Sequence, residues 1–224
     1  MVLSKYSQLD TPSLLIDMDL VQSNITAMQK KADKYGVALR PHTKTHKMPE
    51  LAKLQLAAGA SGITVAKVGE AEVMAATGIS DIFIANQIIG VSKLERIRQL
   101  ARHIKIRLGV DDPAQIDQLE TVFRDESHPV EVLIEIETGE NRSGVMQEEQ
   151  LIRLVKHIQA QTSVSLKGVF SHEGHTYKAK SSEDCRRLCL DSQNRTLWAA
   201  KLVRALGAGF ATVCFGATPY MIQK

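Results

Sequence analysis

The densest cluster of chemically useful side chains is the run RPHTKTHK, residues 40–47, which ends an apolar stretch. Side chains alternate along a strand, so His42, Lys44 and His46 are predicted to share one face. A lysine held there, beside other cations and partly desolvated, has its ammonium form disfavoured. The neutral amine is the form that condenses with an aldehyde. Two other interpretations stay open: a basic loop that binds an anion or faces water, and a metal site on the two histidines, for which no acidic or cysteine partner lies nearby.

Three further polar clusters follow later apolar runs: ETGENRSGV at residues 137–145, SHEGHTY at residues 171–177, and FGATPY at residues 215–220. In the first, Gly139 and Gly144 permit a tight turn. In the last, small residues allow backbone N–H groups to approach a phosphate, and Thr218 adds a hydroxyl donor. The GxTP pattern alone is short and equally compatible with a simple turn.

These clusters must be positioned by short apolar, β-branched runs that alternate with helical patterns. The predicted strands are Ser13–Asp17, Val37–Lys44, Gly62–Ala66, Ile82–Ala85, Ile104–Val110, Val130–Ile136, Val164–Ser171 and Phe210–Phe215. The predicted helices are Leu20–Tyr35, Pro49–Ala58, Val68–Ala76, Ser92–Ala101, Pro113–Phe123, Glu148–Ala160 and Ser181–Leu206. Such alternation indicates buried parallel strands, in a doubly wound sheet or a (β/α)8 barrel.

The barrel is favoured, because no GxGxxG follows the first strand and polar clusters recur where strands end. A complete barrel needs eight strands, and only seven follow Ser13–Asp17. We therefore predict one α/β domain over residues 1–224, a TIM-barrel-like (β/α)8 fold that is incomplete at the C-terminus and lacks its eighth strand. Neither a GxSxG nucleophile elbow nor a phosphate-binding P-loop motif occurs.

Composition narrows the class of protein. The formal net charge is +3, which provides no electrostatic case for nucleic acid or an anionic membrane. Three cysteines without a CxxC pair favour a reducing, cytoplasmic location over a disulfide framework. Cys185 and Cys189 share a helix face, for which packing is the better interpretation than a metal site. Neither a signal peptide nor a membrane span is predicted.

The four clusters together resemble the D-threonine aldolase / D-serine dehydratase family, fold-type III pyridoxal-phosphate enzymes related to the alanine racemase barrel. The opening LDTP followed by SLLIDMDLVQSNI also resembles this family. The resemblance runs from about residue 8 to about residue 220, with the motifs in matching order. It implies that Lys44 binds pyridoxal 5'-phosphate as a Schiff base and is the catalytic lysine. Lys47 is three residues from Lys44, so along a strand its side chain would lie on the opposite face.

The resemblance also assigns the other cofactor-binding residues. Arg142 is expected to donate to the cofactor's phenolic oxygen, although Glu137 stands where an aspartate is more usual. His172 would pack against the pyridine ring, and Tyr177 is the candidate partner of the ring nitrogen. The phosphate would be bound by Gly216, Ala217 and Thr218. His175 is either a loop histidine or a contact to substrate. Cys214 stands where racemases tend to have an arginine, which argues against a racemase-like ring-nitrogen contact.

The implied function is a lyase that acts on small D-amino acids by retro-aldol cleavage or by loss of the β-hydroxyl. Relatives use a divalent metal held in a C-terminal β domain, whose ligands are absent from this sequence, so we expect low or no metal-dependent activity. A homodimer is possible. The alternatives are a non-catalytic or regulatory pyridoxal-phosphate-binding barrel, an amino-acid racemase, and a barrel that binds another phosphate-bearing ligand.

Overall fold

The computed structural model describes residues 6–209 and 212–219 and confirms an alternation of helices with parallel strands. The helices are α1 (Met18–Lys34), α2 (Pro49–Ala57), α3 (Val68–Ala76), α4 (Val91–Ala101), α5 (Pro113–Phe123), α6 (Glu148–Gln159) and α7 (Ser182–Ala205). The strands are β1 (Ile63–Val65), β2 (Asp81–Gln87), β3 (Lys105–Val110), β4 (Val130–Ile136), β5 (Val164–Ser171) and β6 (Thr212–Phe215). A 3-10 helix, Gly174–Lys178, lies between β5 and α7.

The six strands form one parallel sheet in the order β1-β2-β3-β4-β5-β6, each paired with the next strand along the chain. The sheet curls into part of a barrel, so the prediction of an incomplete (β/α)8 fold is confirmed. The core lies between the strands and the helices that cover them. Because all strands point the same way, their carboxyl ends meet at one rim, where barrel active sites are built.

Helix α6 illustrates why these segments fold as they do. Leu151, Leu154, Val155 and Ile158 are spaced to lie on one helical face, and all four are buried. Two glutamates in the first turn and a lysine and a histidine in the last turn complement the helix dipole. Gln147 closes a capping box at the N-terminus. The predicted Glu148–Ala160 differs from the observed helix by one residue at its end.

The first two predicted strands are wrong. Residues Ser13–Asp17 form no strand, and Leu14 is 90% exposed there. The predicted strand Val37–Lys44 reduces to a single bridge between His42 and Thr64. The sequence pattern was apolar enough for strands. In the second segment the carbonyls of Leu39 and Pro41 and the Thr43 N–H still bond to residues 61–64, but Pro41 has no N–H with which to continue a ladder. Of the predicted strand Phe210–Phe215, the first two residues lie outside the described ones.

A line of charged side chains ties the bridged segment to the sheet instead. Arg40 Nη1 lies 2.9 Å from an oxygen of Asp81, and Arg107 lies 3.5 Å from the same oxygen. Arg107 also donates to Glu131 at 2.8 Å, and Lys167 lies 3.8 Å from Glu131. These ion pairs run from residue 40 across β2, β3, β4 and β5. These ion pairs hold the segment before Lys44 against the sheet, where few backbone hydrogen bonds do so.

No helix in the described part of the chain is long and apolar enough to cross a membrane.

Burial predicts a sharp contrast between two leucines. Leu94 in α4 is completely buried, so Leu94→Ala should lower the free energy of unfolding by about 3 kcal/mol through lost burial and a cavity. Leu14→Ala, the matched control at a 90% exposed position, should change it by less than about 0.5 kcal/mol. Urea unfolding measures both. Equal effects of the two substitutions would contradict the observed arrangement of the core.

Candidate cofactor site

Segments from four parts of the chain meet at the carboxyl rim of the sheet. Residues 42–47 follow the segment bridged to β1, residues 137–145 follow β4, residues 172–178 follow β5, and residues 216–218 follow β6. The strands bring together stretches that are far apart in sequence. The predicted clusters therefore do lie at one edge of the fold.

Lys44 lies in a turn rather than in a strand. Residues 43–46 form this turn, and the Lys47 N–H donates to the Thr43 carbonyl at 2.7 Å. The Lys44 N–H donates to Nδ1 of His42 at 3.2 Å, which keeps the lysine beside that imidazole. The Lys44 side chain is exposed, so the expectation that it is partly desolvated is wrong for this structure.

The turn also separates His46 from the face on which it was predicted. Nδ1 of His46 accepts the Met48 N–H at 3.0 Å, at the start of α2. Strand alternation stops at His42, because the residues after it curl back on Thr43. Lys44 and His42 remain neighbours, whereas His46 is bound to the next helix.

His42 is an uncharged imidazole at neutral pH. Burial, together with the positive charges of Lys44 and His172, lowers its pKa to about 4, against the opposing effect of a backbone hydrogen bond at Thr64. Its proximity to both groups shows that Lys44, His42 and His172 share one electrostatic environment. A neutral His42 leaves Nδ1 available to accept the Lys44 N–H.

The turn after β4 is held in a defined shape by backbone contacts. Glu137 Oε1 accepts the N–H groups of Gly139 at 2.7 Å and Asn141 at 2.6 Å. Gly144 has a φ of 97°, and a Cβ there would meet the Glu137 nitrogen at 2.8 Å, so the predicted need for glycine is confirmed. Glu137, in place of the more usual aspartate, thus closes the turn that carries Arg142.

Two residues that the sequence analysis missed also support this turn. Arg195, on α7, donates from Nε to the Glu137 carbonyl at 2.5 Å and from Nη2 to the Met146 carbonyl. Glu135 is buried at the end of β4, where Gln87 and Ser143 donate to its carboxylate. Burial raises the pKa of Glu135 above its ordinary value, although these donors and Arg142 oppose the shift.

Arg142 points toward the rim with half of its side chain exposed. Its guanidinium lies 3.5 Å from Glu140 and 3.8 Å from Glu135. Nε2 of His172 lies 3.8 Å from the same Glu140 carboxylate. Burial lowers the pKa of His172, and the Arg142 charge lowers it further. Arg142 and His172 therefore lie together around Glu140, and His172 also lies within electrostatic range of Lys44.

The segment after β6 contacts the segment after β5. The Thr218 N–H donates to the phenol oxygen of Tyr177 at 3.3 Å, and Tyr177 is 62% exposed. The Gly216 backbone interacts with the His172 ring, and Ala217 is buried. Tyr177 thus lies at the predicted phosphate loop; its contact with a ring nitrogen stays a prediction. Tyr220, the end of the predicted FGATPY motif, lies outside the described residues.

The His175 ring faces the residues that support the site from beneath, rather than the rim. Its Nε2 lies 3.3 Å from the Ser192 hydroxyl of α7, and a Cβ on Gly139 would meet its ring at 3.0 Å. It therefore packs beneath the turn that carries Arg142. The sequence left open whether this histidine is a loop residue or a substrate contact, and its position favours support of the loop.

These residues offer the donors that an anionic aldehyde cofactor requires: an accessible amine, a guanidinium, and a backbone N–H beside small residues. The described side chains are less suited to a metal ion. No group of three or more His, Cys, Asp or Glu side chains in residues 6–209 and 212–219 is arranged to hold one. Cys185 and Cys189 are buried thiols of α7 with sulfurs 4.0 Å apart. The described side chains thus fit a phosphate-bearing cofactor and do not fit a metal.

Known proteins resemble this chain over most of its length. The family described as "Alanine racemase, N-terminal domain" matches residues 16–222. The D-threonine aldolase of an Arthrobacter species is 35% identical over 95% of this chain and 56% of its own length. The D-threo-3-hydroxyaspartate dehydratase of Delftia sp. (strain HT23) is 37% identical over 94% of this chain and 56% of its own length.

A solved structure has the same fold. The crystal structure of D-threonine aldolase from Filomicrobium marinum superposes with a TM-score of 0.88 at 33% identity. It covers 92% of this chain and 56% of that protein. The chain spans about half the length of the relatives it matches. The resemblance predicted from the motifs is confirmed at the level of the family.

The low pKa of His42 predicts a pH-dependent contribution to stability. Unfolded histidine binds a proton below about pH 6.5, whereas folded His42 resists protonation until about pH 4, so acidification through this window favours unfolding. In His42→Asn, an amide oxygen can still accept the Lys44 N–H. The free energy of unfolding of the native protein should fall relative to this variant by roughly 1–2 kcal/mol over that window, less than the full shift implies because solvent screens the partly exposed ring. Parallel pH profiles in denaturant titrations would contradict this.

Proposed function

Because the chain belongs to the alanine racemase N-terminal domain family, we propose that it binds pyridoxal 5'-phosphate covalently through Lys44. The observation that carries the proposal is the convergence of an accessible amine, a guanidinium and a small-residue loop at one rim. These groups come from residues 44, 142 and 216–218, which lie on separate strand ends.

Each group has a distinct task under this proposal. Lys44 would hold the cofactor through its side-chain amine, and the same amine, when free, could take or return a proton. Arg142 stays charged and donates to the phenolic oxygen, while Glu140 and Glu135 hold its guanidinium. The Thr218 N–H, which contacts Tyr177 in this structure, is a donor for the phosphate. When bound, the cofactor supplies an electron sink for bonds at the substrate's α-carbon.

His42 assists by staying neutral. A protonated imidazole beside Lys44 would add a second cation close to the site of condensation. Burial instead keeps His42 uncharged at neutral pH, with Nδ1 fixing the backbone of Lys44. The neighbouring His172 would pack against the ring, and its electrostatic interactions with both Lys44 and Arg142 support this role.

The reaction we propose is that of a lyase acting on small D-amino acids with a β-hydroxyl group. Two relatives support this choice through their names, D-threonine aldolase and D-threo-3-hydroxyaspartate dehydratase. Both reactions break a bond at or next to the α-carbon and differ in which bond is broken. No step is assigned to a metal, because the described side chains do not fit one. A cytoplasmic location accords with three free cysteines.

A matched pair of lysine variants tests cofactor attachment. Lys44→Arg and Lys47→Arg each remove one primary amine and keep the charge. The native protein and Lys47→Arg should form a visible absorbance band with added pyridoxal phosphate, which borohydride reduces onto the protein. Lys44→Arg should lose the band completely. A band that survives in Lys44→Arg, or vanishes in Lys47→Arg, would overturn the assignment.

Amino-acid additions test the proposed reaction class. D-threonine and D-serine should change the absorbance band of the native protein loaded with cofactor, whereas their L-enantiomers should not. Stereochemical selection is expected because Lys44, His172 and Arg142 approach the site from fixed directions on different strand ends. A band that forms but responds to none of these compounds would favour a barrel that binds the cofactor without catalysis.

A further inference from the structure

Glu173 is a completely buried carboxyl beside the proposed phosphate loop, and the proposed chemistry gives it no task. It is the second residue after the end of β5 and is 0% exposed. Oε1 accepts the Ser171 hydroxyl at 2.5 Å. An isolated buried carboxylate is costly, so its environment must favour either a partner or a proton.

A chain of hydroxyl groups links this carboxyl to α7. The Ser171 hydroxyl lies 2.8 Å from Thr196 Oγ1, and Thr196 Oγ1 lies 2.9 Å from the Ser192 carbonyl. Thr196 and Ser192 are completely buried. Since hydroxyl protons can rotate, a protonated Glu173 can donate to Ser171, Ser171 to Thr196, and Thr196 to the carbonyl. The carboxyl proton and both hydroxyl protons then each have a hydrogen-bond acceptor.

The other carboxyl oxygen faces the loop after β6. Oε2 is buried and makes no hydrogen bond of normal geometry within the described residues. The Gly216 N–H interacts with this carboxyl electrostatically, and the Gly216 backbone also interacts with the neighbouring His172 ring. Ser171 pairs with Phe215 in the sheet, which places Gly216 beside residues 172 and 173. The two consecutive side chains His172 and Glu173 thus flank the first residue of the proposed phosphate loop.

The charged groups around Glu173 favour its neutral form. Burial raises its pKa to about 7, and the Glu140 carboxylate contributes in the same direction. Glu140 lies so close to this turn that a Cβ on Gly174 would overlap it. The thiols of Cys189 on α7 and Cys214 on β6 also interact with Glu173, and burial raises the pKa of both. Both thiols are therefore neutral near pH 7.

We propose that Glu173 is a positioning residue for the phosphate loop. Its protonated carboxyl anchors to Ser171 and its free oxygen accepts the Gly216 N–H, which sets the loop so that the Thr218 N–H can turn from Tyr177 to a phosphate. A phosphate group brings negative charge next to this carboxyl and so favours the protonated form. Binding of a phosphate-bearing ligand is therefore accompanied by proton uptake at Glu173. This inference rests on the proposed cofactor function.

Two variants and two ligands test it, with pyridoxal phosphate compared against pyridoxal, which has the same aldehyde and no phosphate. Glu173→Gln keeps the shape and mimics the neutral carboxyl, whereas Glu173→Met removes both hydrogen-bonding atoms. Affinity is measured from the absorbance band of the covalent complex. Glu173→Met should weaken pyridoxal phosphate about tenfold and leave pyridoxal within about threefold. Glu173→Gln should bind both ligands about as the native protein does.

The pH profile separates positioning from general support of the fold. In the native protein, the ratio of pyridoxal phosphate affinity to pyridoxal affinity should fall several-fold as pH rises through about 7, where Glu173 loses its proton. In Glu173→Gln that part of the fall should be absent, while ionisation of the ligand's own phosphate affects both proteins alike.

Equal weakening of the two ligands in Glu173→Met, or identical pH profiles for the native protein and Glu173→Gln, would overturn the assignment. If Glu173→Met does not fold, the pH comparison with Glu173→Gln decides. Failure of the native protein to form the band with either ligand would instead contradict the proposed function.

Discussion

The whole arrangement depends on the common direction of the six strands. In a parallel sheet every carboxyl end opens onto the same rim, so loops separated by more than a hundred residues become neighbours. Lys44 and Thr218 are 174 positions apart, yet both belong to segments that end at this rim. The geometry of the proposed site therefore depends on the register in which the strands pair. The buried apolar residues of the strands fix that register.

That rim concentrates positive charge, and buried carboxyl groups balance it. His172 lies within electrostatic reach of Lys44, His42 and Arg142, and His42 lies within reach of Lys44. Glu140 offsets the pair formed by Arg142 and His172, and Glu135 supports Arg142 from beneath. Where burial outweighs attraction, the groups become neutral instead: His42 loses its proton and Glu173 keeps one near neutral pH. Desolvation, more than pairwise attraction, thus decides the ionisation of this site.

Much of the fold was predictable because local patterns agreed with tertiary packing. The bounds of α3, α5, β4 and β5 match the sequence predictions residue for residue. The failures occurred where a pattern lacked a partner. Residues Ser13–Asp17 are apolar but lie exposed, and Pro41 interrupts the pairing of the next predicted strand. A sequence pattern reports what a segment prefers, whereas a strand also requires a neighbour with free backbone groups.

The same distinction applies to the site. Short polar runs after apolar ones predicted that Lys44, Arg142 and the segment at residues 216–218 lie at one rim, and their segments do end there, whereas their roles remain predictions. The same pattern missed Arg195, whose contacts with the Glu137 and Met146 carbonyls span about fifty residues and leave no local signature. Glu135 and Glu173, in contrast, could have been singled out from the sequence. Glu135 interrupts an apolar strand, and Glu173 follows one, where a carboxyl is costly unless it has a function or a partner.

Exposure divides the site into a reactive layer and a supporting layer. Lys44, Arg142 and Tyr177 are at least half exposed or open to solvent, while Glu135, Glu173 and Thr43 beneath them are buried. A rigid buried layer is what holds a cofactor in one orientation. Bond cleavage at a substrate's α-carbon also requires that water be excluded from the reacting groups. Within residues 6–209 and 212–219, Arg142 is half exposed and Tyr177 is 62% exposed, so these residues support the proposed cofactor binding more directly than the proposed turnover.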